Sequence, residues 1–200
     1  MWLHRSLLEL ALVFIFYKAM SFSFPKMGIA RRLVIPAFVG TLIGGLFNVP
    51  IWRSGNATLA VNVGGAIIPL CTSIYLLRKA PLLKTALAVA AVATVSAFLS
   101  NVEAGGAITI RVGIAPLAAV GVALILAGRN APQVAFISGT IGVTIGGDLI
   151  HLGEAFHGGA GYLAIGGRGV FDGIFTTGII AASLAELPWR KKRSDGQVTE

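Results

Sequence analysis

Two aspartates stand where an apolar chain has least use for them. Asp148 ends the stretch "GTIGVTIGGD" and Asp172 ends "IGGRGVFD", each inside a run that otherwise has the composition of a membrane span. The remaining acids have ordinary places: Glu9 near the start of the first apolar run, Glu103 and Glu154 in polar breaks, and Glu186, Asp195 and Glu200 at or beyond the end of the last run. An ionisable side chain deep in a bilayer costs at least about 2.5 kcal/mol on insertion scales, so one kept there marks an ion path, a proton relay or a reacting group. Two carboxyls within reach of each other share one proton, because both do not ionise side by side. The charged member then activates water as a base, and the neutral member donates to a carbonyl. Used that way, Asp148 and Asp172 are the catalytic pair of an intramembrane aspartyl hydrolase. Used as proton or cation sites, they belong to a small ion-coupled transporter.

Neighbouring residues extend either reading. Arg168 precedes Asp172 by four residues, so the two share a face if the chain is helical there, and the pairing would neutralise the acid. If "AIGGRG" is unwound instead, the helix starts late and both carboxyls move toward the outer leaflet. His151 follows Asp148 by about one helical turn. Asn62 in "VNVGGAIIP" and Asn48 in "FNVP" put amides beside helix-disrupting residues, and broken helices free backbone groups that transporters use to hold ions. Binding roles therefore fall to Arg168, Asn62, His151, Gly147 and Gly167. His151, Glu154 and His157 are loosely spaced in a loop and make no ligand set, so neither metal nor cofactor is expected. The plainer alternatives are helix-locking hydrogen bonds for the acids, interhelical amide bonds for the asparagines and close packing for the glycines. The GxxxG pairs Gly142–Gly146 and Gly169–Gly173 suit such packing. A protein with only those features would be a non-catalytic membrane scaffold.

The elements that must position these residues follow from composition. Of 200 residues, 56% are hydrophobic and 12% charged, about half the charge of a soluble domain. The apolar residues come in runs near the length that crosses a hydrocarbon core: 6–24, 33–52, 59–77, 83–99, 111–127, 133–152 and 161–187. The expected class is all-α, a polytopic membrane helix bundle of about seven transmembrane helices, with one domain over 1–187 and a basic tail over 188–200. The first run lacks an A-x-A-like cleavage site and reads as a retained helix. Cys71 is the single cysteine, so no internal disulfide forms. The net charge of +8 suits membrane-flanking loops rather than nucleic acid. The partners implied are the lipid bilayer and a membrane-embedded peptide or small solute.

Orientation follows from where the basic residues fall. Alternate breaks collect Lys18, Lys26, Arg31 and Arg32, then Arg78, Lys79 and Lys84, then Arg129, then Arg190, Lys191, Lys192 and Arg193; the other side has only Arg5, Arg53 and Arg111. Positive residues stay inside, which places the N-terminus outside and the C-terminus in the cytoplasm of a plasma or inner-membrane protein. An internal echo also appears. At an offset of 102 residues, Gly40, Ile43, Gly44, Gly45, Gly64 and Gly65 fall on Gly142, Ile145, Gly146, Gly147, Gly166 and Gly167. The second and third runs would then form a parallel repeat with the sixth and seventh, with Asp148 at the place of Leu46 and Asp172 at that of Leu70.

The motifs "GGLFNVPI", "AVNVGGAIIP", "GTIGVTIGGDL" and "IGGRGVFDGIFTTGIIA" resemble those of an uncharacterised family of bacterial and archaeal multi-pass membrane proteins, a domain of unknown function. The resemblance covers about residues 35–185 and implies a membrane location without an activity. A weaker likeness is to intramembrane aspartyl proteases of the presenilin and prepilin-peptidase type, which carry one aspartate on each of two successive helices, the second in GxGD. Here "GGD" comes first and "GRGVFD" second, so order and spacing depart from that pattern.

Overall fold

The computed structural model describes residues 2–103, 106–110 and 113–195. The chain is mostly helical: α1 (Trp2–Lys26), α2 (Val34–Gly44), α3 (Ile68–Leu77), α4 (Leu82–Leu99), α5 (Ile114–Ala127), α6 (Ala131–Val143), α7 (Leu152–His157) and α8 (Gly173–Asp195). Two stretches are long and apolar enough to cross a membrane, Leu82–Leu99 and Ile114–His157. The second is folded back on itself at Gly128, whose φ of +55° suits glycine.

The all-α expectation needs correction, because the described residues include five strands. β1 (Asn48–Ser54), β2 (Ala57–Asn62) and β5 (Tyr162–Ile165) form one sheet in that order, and β3 (Ser100–Val102) pairs with β4 (Ile108–Ile110) in another. The expected helices over 33–52, 59–77 and 161–187 are therefore each part helix and part strand. Apolar runs alone do not separate buried helix from strand. Within "RSGN" the turn residue Gly55 has φ +54°, which closes an antiparallel hairpin between β1 and β2. Pro50, lacking an N–H, sits on the edge strand β1 beside a register irregularity between Pro50 and Trp52. β2 then pairs in parallel with β5, Leu59 opposite Leu163.

All the strands gather at one end of the bundle and the short basic turns at the other. At the basic end, Lys79 Nζ donates to Gly28 O at 2.7 Å, joining the α1–α2 turn to the α3–α4 turn. There too, Lys26 Nζ lies 3.2 Å from Glu186 Oε1, an ion pair rather than a directed hydrogen bond. It fastens α1 to α8, and one turn further along, the hydroxyls of Ser23 and Ser183 meet at 2.6 Å.

α6 is the central element. It is apolar all round and buried from Ala131 to Val143 apart from Gln133 and Ile141, as a core helix should be. An alanine-rich cluster around Ala88, Ala119, Ala123 and Ala135 packs on one side of it, and a Phe/Met cluster around Phe16, Met20, Phe24 and Phe136 on the other. Small residues set the spacing. A Cβ on Gly139 would come within 3.2 Å of Gly178 on α8, and one on Gly142 within 2.8 Å of Val92 on α4. The Gly142–Gly146 pair thus packs one helix on another as expected. The Gly169–Gly173 pair does not: Gly169 (φ +60°) lies in a tight turn, with the Cα of Gly45 only 3.1 Å from where its Cβ would be.

The outside of the bundle is apolar. Phe98 is 85% exposed, Ile125 83% and Leu83 76%, the kind of bare apolar surface that marks a membrane or protein contact when it is contiguous.

Candidate functional site

The backbone is irregular where the two acids sit, and the irregularity brings them together. α6 runs into a π-helical turn, Thr144–Leu149, which carries Asp148. Such turns add a residue to the helical circuit and recur at functional sites. Within this turn Gly146 packs against the backbone of Ala93 in α4, where a side chain has no room. On the other strand of the site, β5 ends at Ile165 and the chain turns through Gly166 (φ +72°) and Gly169 (φ +60°) before α8 begins at Gly173. "AIGGRG" is accordingly not helical, and the late start of α8 is observed.

Asp172 is the residue before that helix. Its backbone is extended, with φ −68° and ψ 148°. Its Oδ1 accepts the N–H of Ile174 at 3.0 Å, and its Oδ2 accepts the N–H of Arg168 at 3.3 Å. This is an N-cap, in which a side-chain oxygen satisfies a backbone donor that the first helical turn leaves without a partner. The contact with Arg168 is through its backbone. Among the described residues, the one ion pair is between Lys26 and Glu186, so the shared helix face that would have paired the Arg168 guanidinium with Asp172 does not form.

Asp148, Arg168 and Asp172 line one cavity of about 350 Å³, bounded by α5, α8, the end of α6 and the β3–β4 hairpin. The three also line an adjoining space of about 130 Å³ under β5. Among the described residues no hydrogen bond joins the two acids. Gly147 lines the larger cavity and Gly167 the smaller. Five of the seven residues singled out from the sequence thus converge.

Asn62 and His151 line neither cavity. Asn62 is fully buried as the N-cap of a second π-helical turn, Val63–Ile67, and accepts the Gly65 N–H at 2.7 Å. Its amide donates to Gly45 O at 2.9 Å and to Asn48 Oδ1 at 2.8 Å. Both N–H donors of its amide, and its oxygen, are thus engaged at the break between α2 and α3. His151 Nδ1 lies 3.1 Å from Gly147 O, which ties the end of the Asp148 turn. Among the described residues no group of three or more His, Cys, Asp or Glu is arranged to hold a metal.

Two lining residues were missed in the sequence. Ser100, 6% exposed, and Thr176 on α8 bring hydroxyl oxygens that are buried and have no hydrogen-bond partner. Thr176 falls four residues after Asp172, one turn along the same helix face, and that spacing was readable; nothing in "AFLSNV" set Ser100 apart from other serines.

Residues 43–184 match the model of a family described as "Protein of unknown function (DUF1614)". The chain belongs to this family. The DUF1614 match takes in the last turn of α2, both sheets, both acids and the cavity between them, and it begins after α1. No curated protein and no solved structure matches the chain. The likeness to intramembrane aspartyl proteases therefore has no support beyond the motifs that suggested it.

Proposed function

We propose that this protein is a multi-pass membrane carrier whose cavity between α5, α6 and α8 binds a small cationic solute or ion, with Asp148 as the group that takes it up and releases it. The observation that carries the reading is the convergence of Asp148, Asp172 and Arg168 on one cavity from segments that break helical regularity. Carriers use such broken helices to place ion ligands within apolar surroundings. The acids divide the work: Asp172 is held by two backbone N–H groups and orients the start of α8, while Asp148 offers its carboxylate to the cavity. Membrane insertion is supported by the two long apolar stretches and the bare apolar belt. Seven crossings with the N-terminus outside belong to this reading, and the gathering of the basic turns at the end opposite the cavity supports that orientation. The parallel pairing of β2 with β5 supports a repeat of the second and third segments in the sixth and seventh. Its register, Leu59 opposite Leu163, is out of step with the glycine offset.

Reconstituted in vesicles, the native protein is expected to dissipate an imposed proton or sodium gradient, and Asp148→Asn to lose that flux. A native protein that leaves both gradients intact sinks the ion-coupled form of the reading. The hydrolase is the second reading, favoured because both carboxyls reach the same cavity. It requires cleavage of a membrane-embedded peptide with no gradient loss. A protein inert in both assays is a scaffold.

A further inference from the structure

The larger cavity is graded along its length. On α8 its wall descends through Asp172, Thr176, Ile180 and Leu184, four positions spaced one helical turn apart on one face. The same wall thus passes from carboxylate to hydroxyl to aliphatic. Across from it, the first turn of α5 contributes Ala115, Pro116 and Leu117. The polar end has Asp148 and Arg168 as well, and Ser100 supplies a buried hydroxyl without a partner in the structure. A volume of about 350 Å³ is at the small end of pockets for organic molecules, about 300–1,000 Å³, and far exceeds what a bare ion fills. Among the described lining residues, two carboxylates face one guanidinium, and Arg168 is exposed, where its charge is screened by water.

Resting on the reading of this cavity as a solute site, we infer that its ligand is a small organic ammonium with an apolar body. The ammonium sits at Asp148, and the apolar body lies between Ile180, Leu184 and the first turn of α5. An ammonium carries donors and no acceptor, which suits an end where two carboxylates line the wall. The apolar body takes up the wall that an inorganic ion would leave empty.

The test is calorimetric titration of the full-length protein in nanodiscs, against protein-free nanodiscs, with phenethylamine as the probe. The comparison ligands are 2-phenylethanol, ethylamine and phenylalanine. Saturable binding of phenethylamine at least tenfold tighter than each of the three supports the inference, and Asp148→Asn should weaken it tenfold or more. The ligand series on the native protein stands even if a variant fails to fold. Equal affinity for amine and alcohol overturns the inference, as does tighter binding of phenylalanine, which would mean that Arg168 recruits a carboxylate. No amine binding in a protein that still dissipates an ion gradient overturns the ligand class and leaves the carrier. Asp148-dependent amine binding in a protein that transports nothing overturns the carrier and keeps the ligand class.

Discussion

Asp148 and Asp172 line the same cavity from different segments, and among the described residues only Asp172 is bonded to the backbone, through the N–H groups of Ile174 and Arg168. Two acids that look equivalent in the sequence therefore have different duties. One closes the first turn of α8. The other is presented to the cavity by a π-helical turn, which costs α6 its regular hydrogen bonding and needs a reason to persist.

The orientation makes a labelling prediction. Asn101 and His157 are exposed at the strand-bearing end. With the native Cys71, itself exposed, first replaced by alanine, a cysteine at either position should react with an impermeant thiol reagent from outside the cell. A cysteine at Ser194 should react only after the membrane is opened. The reverse pattern would invert the bundle and put the cavity at the cytoplasmic face.

How far the sequence led depends on the kind of residue. α4 was readable nearly to its ends, because Leu82–Leu99 is apolar but for Lys84, Thr85, Thr94 and Ser96, and Pro81 marks its start. The β1–β2 hairpin was not, although Ser54, Gly55 and Asn56 are turn formers and Trp52, Thr58 and Val61 favour strands. The flanking apolar runs had the length of a span, and length outweighed those signals. Asp148, Arg168 and Asp172 stood out because charge is costly in apolar surroundings. Ser100 did not, because a hydroxyl's value depends on burial and on the absence of a partner, which only the packing reveals. Asn62 stood out as an amide beside helix-disrupting residues, and the structure shows it as a cap, as an Asn just before a helical start often is.

The glycines give a prediction of opposite signs. A Cβ on Gly146 would collide with the backbone of Ala93, so Gly146→Ala should destabilise by about 1–3 kcal/mol, the cost of overpacking. Gly121 sits within α5 with nothing near its missing side chain, so Gly121→Ala should stabilise by about 0.5–1 kcal/mol. Unfolding in detergent measures both. Equal effects would mean that α4 and α6 do not approach as described.

Asn62 serves three backbone or side-chain partners where α2 hands over to α3. Asn62→Ala leaves the N–H of Gly65 unsatisfied in a buried place and should cost about 1–3 kcal/mol. Asn48 loses one bond when replaced by alanine and sits on an exposed strand, so Asn48→Ala should cost about 1 kcal/mol or less. Chemical unfolding of the two variants and of the double variant tests the ranking; a larger loss at Asn48 would refute the capping role of Asn62.

Asp172 separates the carrier from the hydrolase. Asparagine and aspartate are comparable N-caps, whereas alanine loses about 0.5–2 kcal/mol. Asp172→Asn keeps the oxygen that caps Ile174 and gives up only the longer bond from the Arg168 N–H, so it should lower the melting temperature little, and Asp172→Ala should lower it more. In the carrier, the carboxylate of Asp172 is committed to backbone N–H groups, so Asp172→Asn should retain most of the flux that Asp148→Asn abolishes. In the hydrolase, both acids share one proton and either substitution lowers peptide cleavage by orders of magnitude. Measuring flux, cleavage and melting temperature for the same two asparagine variants decides the matter. If Asp172→Asn melts like the native protein and is as inactive as Asp148→Asn, the two carboxyls work as a pair, and the division of labour drawn from the N-cap is wrong.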